Sequence, residues 1–431
     1  MHKKIQDIIT KVDIFLYKKF GWEKKLYFLE NLPEANIIFS QLNGTESKSK
    51  VKFVGGCVRK ALSEDQIDDI DLSTTLKPEE VKEKLNQKKI RVIDTGISHG
   101  TVTAILNAKK FEITTLRKDL STDGRHANVL FTSDWEQDAK RRDFTINAIY
   151  ADIDGRIFDP LNGMKDLKNG KVKFIGSSQE RIQEDYLRIL RYFRFFIQYS
   201  NEDYNEDTIR FIKQNINGLN KVSNERIFIE LKKILSIKNI NNLFSNQQSK
   251  EIILNIFPQF KYYERLNTIN KKFKNKYDNF LILALLITDE SNNYEYFCHK
   301  YKLSNSIKKR FFNISKNYEN LKIKKFYSKF NVRKLMYLLN KNEVKDLLLF
   351  SLCINNKKVQ VSVIEELIET IDVFKIPKFP ISGDYLKEKG YKTGEALGAK
   401  LKLLEEKWIN NNFYLDKKLI ETSLGKINNK N

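Results

Sequence analysis

Five short stretches of the first third of the chain, at 51–55, 69–75, 90–94, 100–106 and 110–116, are strand-like, and in several of them apolar and polar residues alternate. A period of two marks strands with one buried face. Between the second and third stretches, Pro78 opens a segment of helical spacing through Leu85, and proline is tolerated in a first turn because its missing N–H has no intrahelical partner there. From about residue 180 the spacing becomes helical and stays so. Glu184–Phe196 and Ser223–Leu235 are strongly periodic, the second with Ser223 as N-cap and Glu225 in its first turn. Beyond 240, Lys/Asn-rich helical segments carry interleaved Tyr and Phe, and Pro377-Lys378-Phe379-Pro380 precedes a compact C-terminal unit. The expected class is α+β, a mixed or antiparallel-sheet head followed by an all-α neck, body and tail. The expected divisions are a helical extension over 1–30, a head over 31–177, a neck over 178–240, a body over 241–375 and a tail over 376–431.

Composition narrows the partners without naming one. Lys and Arg total 77 against 55 Asp and Glu, a net charge of +22, which suits a polyanion. Abundant Lys, Asn and Ile are also what an AT-rich coding sequence produces, so charge alone leaves both readings open. Cys57, Cys298 and Cys353 are scattered with no C-x-x-C pair, which argues against a disulfide scaffold or zinc site and fits a reducing cytosol. The basic N-terminus lacks the apolar core of a secretory signal. The longest apolar run, Phe280–Ile287, is far short of the ~20 residues of a membrane span. A cytoplasmic protein without a membrane partner is expected, and no stable protein partner is inferred.

The chemistry begins at Phe53-Val54-Gly55-Gly56-Cys57-Val58-Arg59, followed after nine residues by Asp69-Ile70-Asp71-Leu72-Ser73-Thr74. On a strand, residues two apart share a face, so Asp69 and Asp71 project together while Ile70 and Leu72 face the core. Paired carboxylates repel unless a cation lies between them, and Mg²⁺ is commonly held by one or two carboxylates plus substrate phosphates. Gly55 and Gly56 let backbone N–H groups approach an anion, and Arg59 adds a bidentate phosphate donor. Glu112 lies in Phe111-Glu112-Ile113-Thr114; if that strand neighbours the one bearing the two aspartates, Glu112 supplies a third carboxylate, and otherwise it is a solvated strand residue.

This combination resembles the head of the nucleotidyltransferase superfamily that includes DNA polymerase β, in its class II tRNA nucleotidyltransferase and bacterial poly(A) polymerase branch. Gly96-Ile97-Ser98-His99-Gly100-Thr101-Val102 is similar to a segment typical of the tRNA enzymes, with His99 expected as an ordered turn residue rather than a base. Arg141-Arg142-Asp143-Phe144-Thr145-Ile146-Asn147-Ala148 resembles the family's second motif, which implies that Arg142 holds phosphate and Asp143 accepts from ribose hydroxyls. Glu184-Asp185-Tyr186-Leu187-Arg188 resembles its Glu-Asp-x-x-Arg motif. On one helix Asp185 and Arg188 would be neighbours, either as a plain ion pair or as a base reader. Cytosine and adenine each present an amino donor beside a ring-nitrogen acceptor, matching a carboxylate beside a guanidinium; guanine and uracil do not. Arg191 and Arg194 correspond to further nucleotide-contacting arginines. The polar segment Leu116–Val129 looks like the flexible loop that accompanies switching from C to A addition.

The C-terminal stretch around Lys392-Thr393-Gly394 is similar to the tail of alphaproteobacterial members, which implies an RNA contact at the tRNA elbow. The resemblance as a whole implies a CCA-adding tRNA nucleotidyltransferase using CTP, ATP and Mg²⁺ on tRNA. Its rivals are a poly(A) polymerase with the same head and a non-catalytic RNA-binding protein. One position departs from the pattern: Lys60 stands where the family usually has Asp.

Overall fold

The computed structural model describes residues 26, 29–45, 49–122, 127–354 and 360–424. Of the extension expected over 1–30, only Leu26, Leu29 and Glu30 fall among them, and both leucines are buried in the head's core. The elements of the head are α1 (Pro33–Asn43), β1 (Val51–Val54), α2 (Gly56–Leu62), β2 (Ile70–Thr74), α3 (Pro78–Asn86), β3 (Arg91–Gly96), β4 (Thr101–Leu106) and β5 (Lys109–Thr115). After them come β6 (Arg117–Thr122), β7 (Ala127–Phe131), α4 (Trp135–Lys140), β8 (Tyr150–Ala151), β9 (Ile157–Phe158) and α5 (Gly163–Lys168). Each of the five stretches expected as strands overlaps one.

They form a seven-stranded sheet in the order β3-β4-β5-β2-β1-β8-β9. Only the β2–β5 pairing is parallel; the rest are antiparallel, so the sheet is mixed. Ile70 and Leu72 of β2, Val51 and Phe53 of β1, and Phe111 and Ile113 of β5 share one core with Ile38, Phe39 and Leu42 of α1 and Val81 and Leu85 of α3. In β1, β2 and β5 these apolar residues therefore face the helices, and the polar residues of β2 and β5 are left on the opposite face for chemistry. The segment expected as a flexible loop after Leu116 is largely a separate two-stranded ribbon of β6 and β7. Asp123-Gly124-Arg125-His126, at the heart of that loop, lies outside the described residues.

Helices follow: α6 (Ser178–Glu184), α7 (Arg188–Tyr199), α8 (Glu206–Asn215), α9 (Asn224–Leu235), α10 (Asn242–Ser245) and α11 (Gln247–Ile256). The Ser223 hydroxyl caps α9 by accepting from Arg226 N at 3.4 Å. The single helix expected over Glu184–Phe196 is interrupted at Asp185–Leu187. Asp185 is extended, at φ −153° and ψ 104°, and its Oδ1 accepts from Leu187 N at 3.1 Å. A short side chain bonding the backbone two residues on competes with helix continuation.

The chain divides into two compact units between Ile252 and Ile253. In the second, the apolar run becomes α12 (Asn279–Ile287), a core helix with Leu281 and Leu283–Ile287 all buried. Next come α13 (Asn293–Lys300), α14 (Asn305–Asn317), α15 (Lys329–Leu338), α16 (Lys341–Ile354) and α17 (Val361–Val373). After the proline break, α18 (Gly383–Glu388), α19 (Glu395–Asn410) and α20 (Lys417–Leu424) gather around Ile381, Leu386 and Leu404. Trp408 of α19 is buried edge-on against Tyr337 of α15, with ring centroids 5.3 Å apart. Among the described residues no helix is long and apolar enough to cross a membrane.

Candidate active site

The site grows from the turn between β1 and α2. Gly55 adopts φ +67°, a left-handed conformation that side chains strain to reach, and it opens α2 while Gly55 N donates to Ile149 O. A Cβ built on Gly56 would lie 3.6 Å from Asp71 Oδ2, and one on Gly55 3.5 Å from Arg142 Nη1. The turn is thus glycine-lined on the side where a carboxylate and a guanidinium meet. Cys57 follows in the buried face of α2; burial first, then the Asp71 charge, pushes its thiol up to about 12, so it is no nucleophile at neutral pH.

Parallel pairing of β2 with β5 sets Asp71 directly opposite Glu112, which supplies the adjacency that sequence left open. Asp69 precedes the strand by one residue and is exposed, Asp71 is half-buried, and Glu112 is exposed. Burial pushes the Asp71 carboxyl up to about 6, with Glu112 and Asp69 adding to the rise and Arg142 and Arg59 opposing it. Among the described residues no three His, Cys, Asp or Glu side chains form a ready ligand set. The donors therefore suit a hard cation shared between two carboxylates and phosphate oxygens of a substrate, not a closed protein cage.

Arg142 is the most firmly held cation of the site. Its Nη2 donates to Ser73 Oγ at 3.0 Å and Asp138 Oδ2 at 3.1 Å, and its Nε to Tyr150 Oη at 3.1 Å. Asp138 is fully buried in α4 and also binds Arg141 and the Tyr150 hydroxyl. Burial alone would raise the Asp138 carboxyl, but Arg142 and Arg141 outweigh it and hold it at about 2. Sequence reading missed Asp138, Tyr150 and Ser73; the four-residue spacing of Asp138 from Arg142 across a helix end was the available signal.

Asp143 faces inward rather than toward an open ribose pocket. Its Oδ1 accepts from Phe144 N at 2.9 Å and Asn147 Nδ2 at 2.8 Å, and its Oδ2 from Arg191 Nε at 2.6 Å. Despite burial, Arg191 and the Asn147 bond hold its carboxyl at about 2. It is therefore a joint between the second motif and α7. Arg59 departs likewise from the expected open phosphate donor. It is buried, donates to Asn147 Oδ1, and lies over the rings of Phe195 at 4.5 Å and Tyr199 at 5.2 Å.

Asp185 and Arg188 do not pair with each other. Asp185 Oδ2 accepts from Arg226 Nη2 at 2.7 Å, while Arg188 Nη1 bonds Glu184 Oε2 at 2.5 Å and Arg181 O at 2.9 Å. The break between α6 and α7 separates them. Arg194 pairs with Glu230 of α9 at 2.5 Å and lies over Phe195. Arg226 and Glu230, four apart on α9, were also missed by sequence reading. His99 ends a turn whose carbonyl accepts from Arg117. Lys392, Thr393 and Gly394 are exposed in the turn that opens α19, far along the chain in the second unit.

Two family profiles match the chain: "Poly A polymerase head domain" over residues 51–173, and "Probable RNA and SrmB- binding site of polymerase A" over residues 204–264. The mitochondrial CCA tRNA nucleotidyltransferase 1 of Mus musculus is 34% identical over 425 residues, covering 95% of this chain and 93% of the mouse protein. A CCA-adding enzyme of Streptococcus uberis is 41% identical over 198 residues, covering 45% of this chain and 47% of its own. In fold, the chain is similar to the Bacillus stearothermophilus CCA-adding enzyme solved with CTP, at a TM-score of 0.67 and 23% identity over 88% of this chain and 92% of that one. The Thermotoga maritima CCA-adding enzyme solved with tRNA gives a TM-score of 0.60 at 22% identity, over 93% and 98% of the two chains.

Proposed function

The chain belongs to the CCA tRNA nucleotidyltransferase family, and from that premise we propose that it adds or repairs the 3′-terminal CCA of tRNA without a template, using CTP and ATP. The observation that carries this reading is Asp71 directly opposite Glu112, with Asp69 near enough to add to the rise in the Asp71 pKa, beside the glycine turn and the anchored Arg142. Family members use a divalent metal. In our reading this is Mg²⁺, held by Asp69 and Asp71; when bound it would lower the pKa of the RNA 3′-OH and offset charge on the leaving pyrophosphate.

The chain's own residues do the positioning. Gly55 and Gly56 leave room for the triphosphate beside Asp71. Arg142, fixed by Asp138, Tyr150 and Ser73, offers its guanidinium to phosphate oxygens with little rotamer entropy left to lose. The RNA 3′ oxygen forms a bond to the α-phosphorus as the bond to pyrophosphate breaks, and the hydroxyl proton leaves to solvent or a nearby carboxylate.

Base choice rests on Asp185 and Arg188. Asp185 accepts the amino group of cytosine or adenine, and Arg188 donates to the adjacent ring nitrogen. Arg226 orients Asp185, whose remaining lone pairs accept from the base amino group, and Arg188 turns from Glu184 to the ring nitrogen. Asp143, Arg191 and Arg59 act behind this surface and hold α7 against the head, and Arg194 ties α7 to α9 through Glu230. The helical remainder, including Lys392, Thr393 and Gly394, engages the tRNA by shape and phosphate contacts. A cytoplasmic location fits the cysteine usage.

The test is incorporation from each single NTP into tRNA lacking its 3′ end. CTP alone should add C, and ATP should add a single A once the two C residues are in place; long A tails would make the protein a poly(A) polymerase. Asp69→Ala/Asp71→Ala should abolish incorporation, and full activity in that variant would overturn the carboxylate assignment.

A further inference from the structure

Lys60 departs from the family pattern and has no part in the chemistry above. Its ammonium lies 2.7 Å from Asp68 Oδ2, and Asp68 is the residue immediately before Asp69. The loop between α2 and β2 is tied at a second point. Asp65 Oδ2 accepts from the Tyr199 hydroxyl at 3.1 Å and from Gln198 Nε2 at 3.4 Å, both on α7. Within the same loop Glu64 takes φ +59°, a conformation that a residue with a side chain seldom keeps unless its surroundings hold it.

The two aspartates are therefore held in different ways. Asp71 sits in a central strand whose register fixes it. Asp69 ends a loop in which residues 64–66, 68 and 69 are exposed and Ile67 alone packs against the head's core. Two carboxylates serving one cation must be placed to within about half an ångström. Beside Ile67 and the backbone bonds of Glu64 and Asp65 to α2, polar side-chain ties to neighbouring helices hold the loop.

We propose that Lys60 is a positioning residue: its ion pair with Asp68 fixes the segment that delivers Asp69 to the cation, while Tyr199 and Asp65 tie that segment to the helix that begins at Arg188. The Lys that breaks the family pattern thus takes up a structural task within the same motif. The proposal rests on the reading that Asp69 and Asp71 hold the divalent cation. It also distinguishes Lys60 from an ordinary surface ion pair, whose loss would alter neither folding nor metal binding appreciably.

The experiment measures Mn²⁺ binding to the full-length protein by electron paramagnetic resonance, with melting temperature recorded alongside. Lys60→Ala should weaken Mn²⁺ binding about tenfold, as loss of an outer-shell partner does, while melting shifts by no more than about 2 °C. Lys60→Arg should bind within about twofold of wild type, and the exchange Lys60→Asp/Asp68→Lys should recover most of the loss. Mn²⁺ affinity unchanged in Lys60→Ala, or equally weakened in Lys60→Arg, would overturn the proposal. Asp69→Ala/Asp71→Ala separates the two levels: if that variant loses Mn²⁺ and Lys60→Ala does not, only the role of Lys60 fails. If the double variant binds Mn²⁺ normally, the carboxylate reading itself fails.

Discussion

Asp71 carries a carboxyl whose pKa rises from 3.8 to about 6, through burial and then the charge of Glu112. A carboxyl raised in the folded state binds its proton more tightly there than when unfolded, so the contribution of Asp71 to stability should fall as pH rises from about 4 to about 6. The loss is at most about 3 kcal/mol, two pH units at 1.36 kcal/mol each, and solvent reduces it further. Asp71→Asn should therefore melt at a higher temperature than wild type at pH 7 while being inactive, and a metal-dependent rise in melting temperature should vanish in it. Thermal melts of wild type and Asp71→Asn at pH 4, 5, 6 and 7 with and without Mg²⁺ check both; a wild type that gains stability relative to Asp71→Asn through that window would refute the sign. Asp138 has the opposite linkage. Its carboxyl is held at about 2 against 3.8, so its contribution is present above about pH 4 and is lost as pH falls toward 2. Removing it leaves Arg141 and Arg142 without their shared buried partner. Asp138→Ala should cost about 3–5 kcal/mol and raise the KM for CTP more than it lowers kcat, measured by denaturant unfolding and steady-state incorporation.

At the scale of elements, the two helices that replace one continuous helix around Asp185 change how base choice is built. Arg226 of α9 holds Asp185, so the reader depends on a helix that begins 36 residues after Arg188. Arg226→Ala should free the Asp185 carboxylate to rotate and reduce discrimination between CTP and UTP about tenfold, with folding retained; competition assays with mixed nucleotides measure it. An unchanged ratio would mean that Asp185 is held by its bond to Leu187 N alone. The strands were legible because alternation records one buried face directly. Asp71 beside Glu112 was not, since a parallel pairing between strands separated by two others in sequence is a property of topology. The break at Asp185 was hidden for another reason. Apolar positions before and after it keep nearly the same phase, and a three-residue interruption held by one carboxylate leaves little trace in periodicity. Arg59 and Asp143 were recognised as important from their motifs, yet their buried partners, Asn147, Phe195 and Arg191, come from distant segments that only the fold brings in.

At the scale of the whole molecule, the charge of +22 has two explanations, RNA affinity and compositional drift, and salt dependence separates them. A cation that neutralises an RNA phosphate releases a counterion on binding, and each such contact in a single-stranded or folded RNA adds roughly 0.7–0.9 to the slope of log K against log salt. A lysine enriched only by composition adds nothing to that slope. Lys392 is the sharpest place to ask, because it is exposed beside the Gly394 turn that opens α19, and Gly394 has open space where a Cβ would stand. The small core of Ile381, Leu386 and Leu404 beneath the turn does not include Lys392, so Lys392→Ala should leave the melting temperature unchanged. Binding of full-length protein to tRNA, measured from 50 to 300 mM KCl, should then show a slope smaller by about one contact in Lys392→Ala. Incorporation of C into a minimal acceptor-stem RNA should be unaffected, because that substrate lacks the elbow. An equal loss on both RNAs would place the contact of Lys392 on the acceptor arm instead, and an unchanged slope on tRNA would assign this lysine to composition.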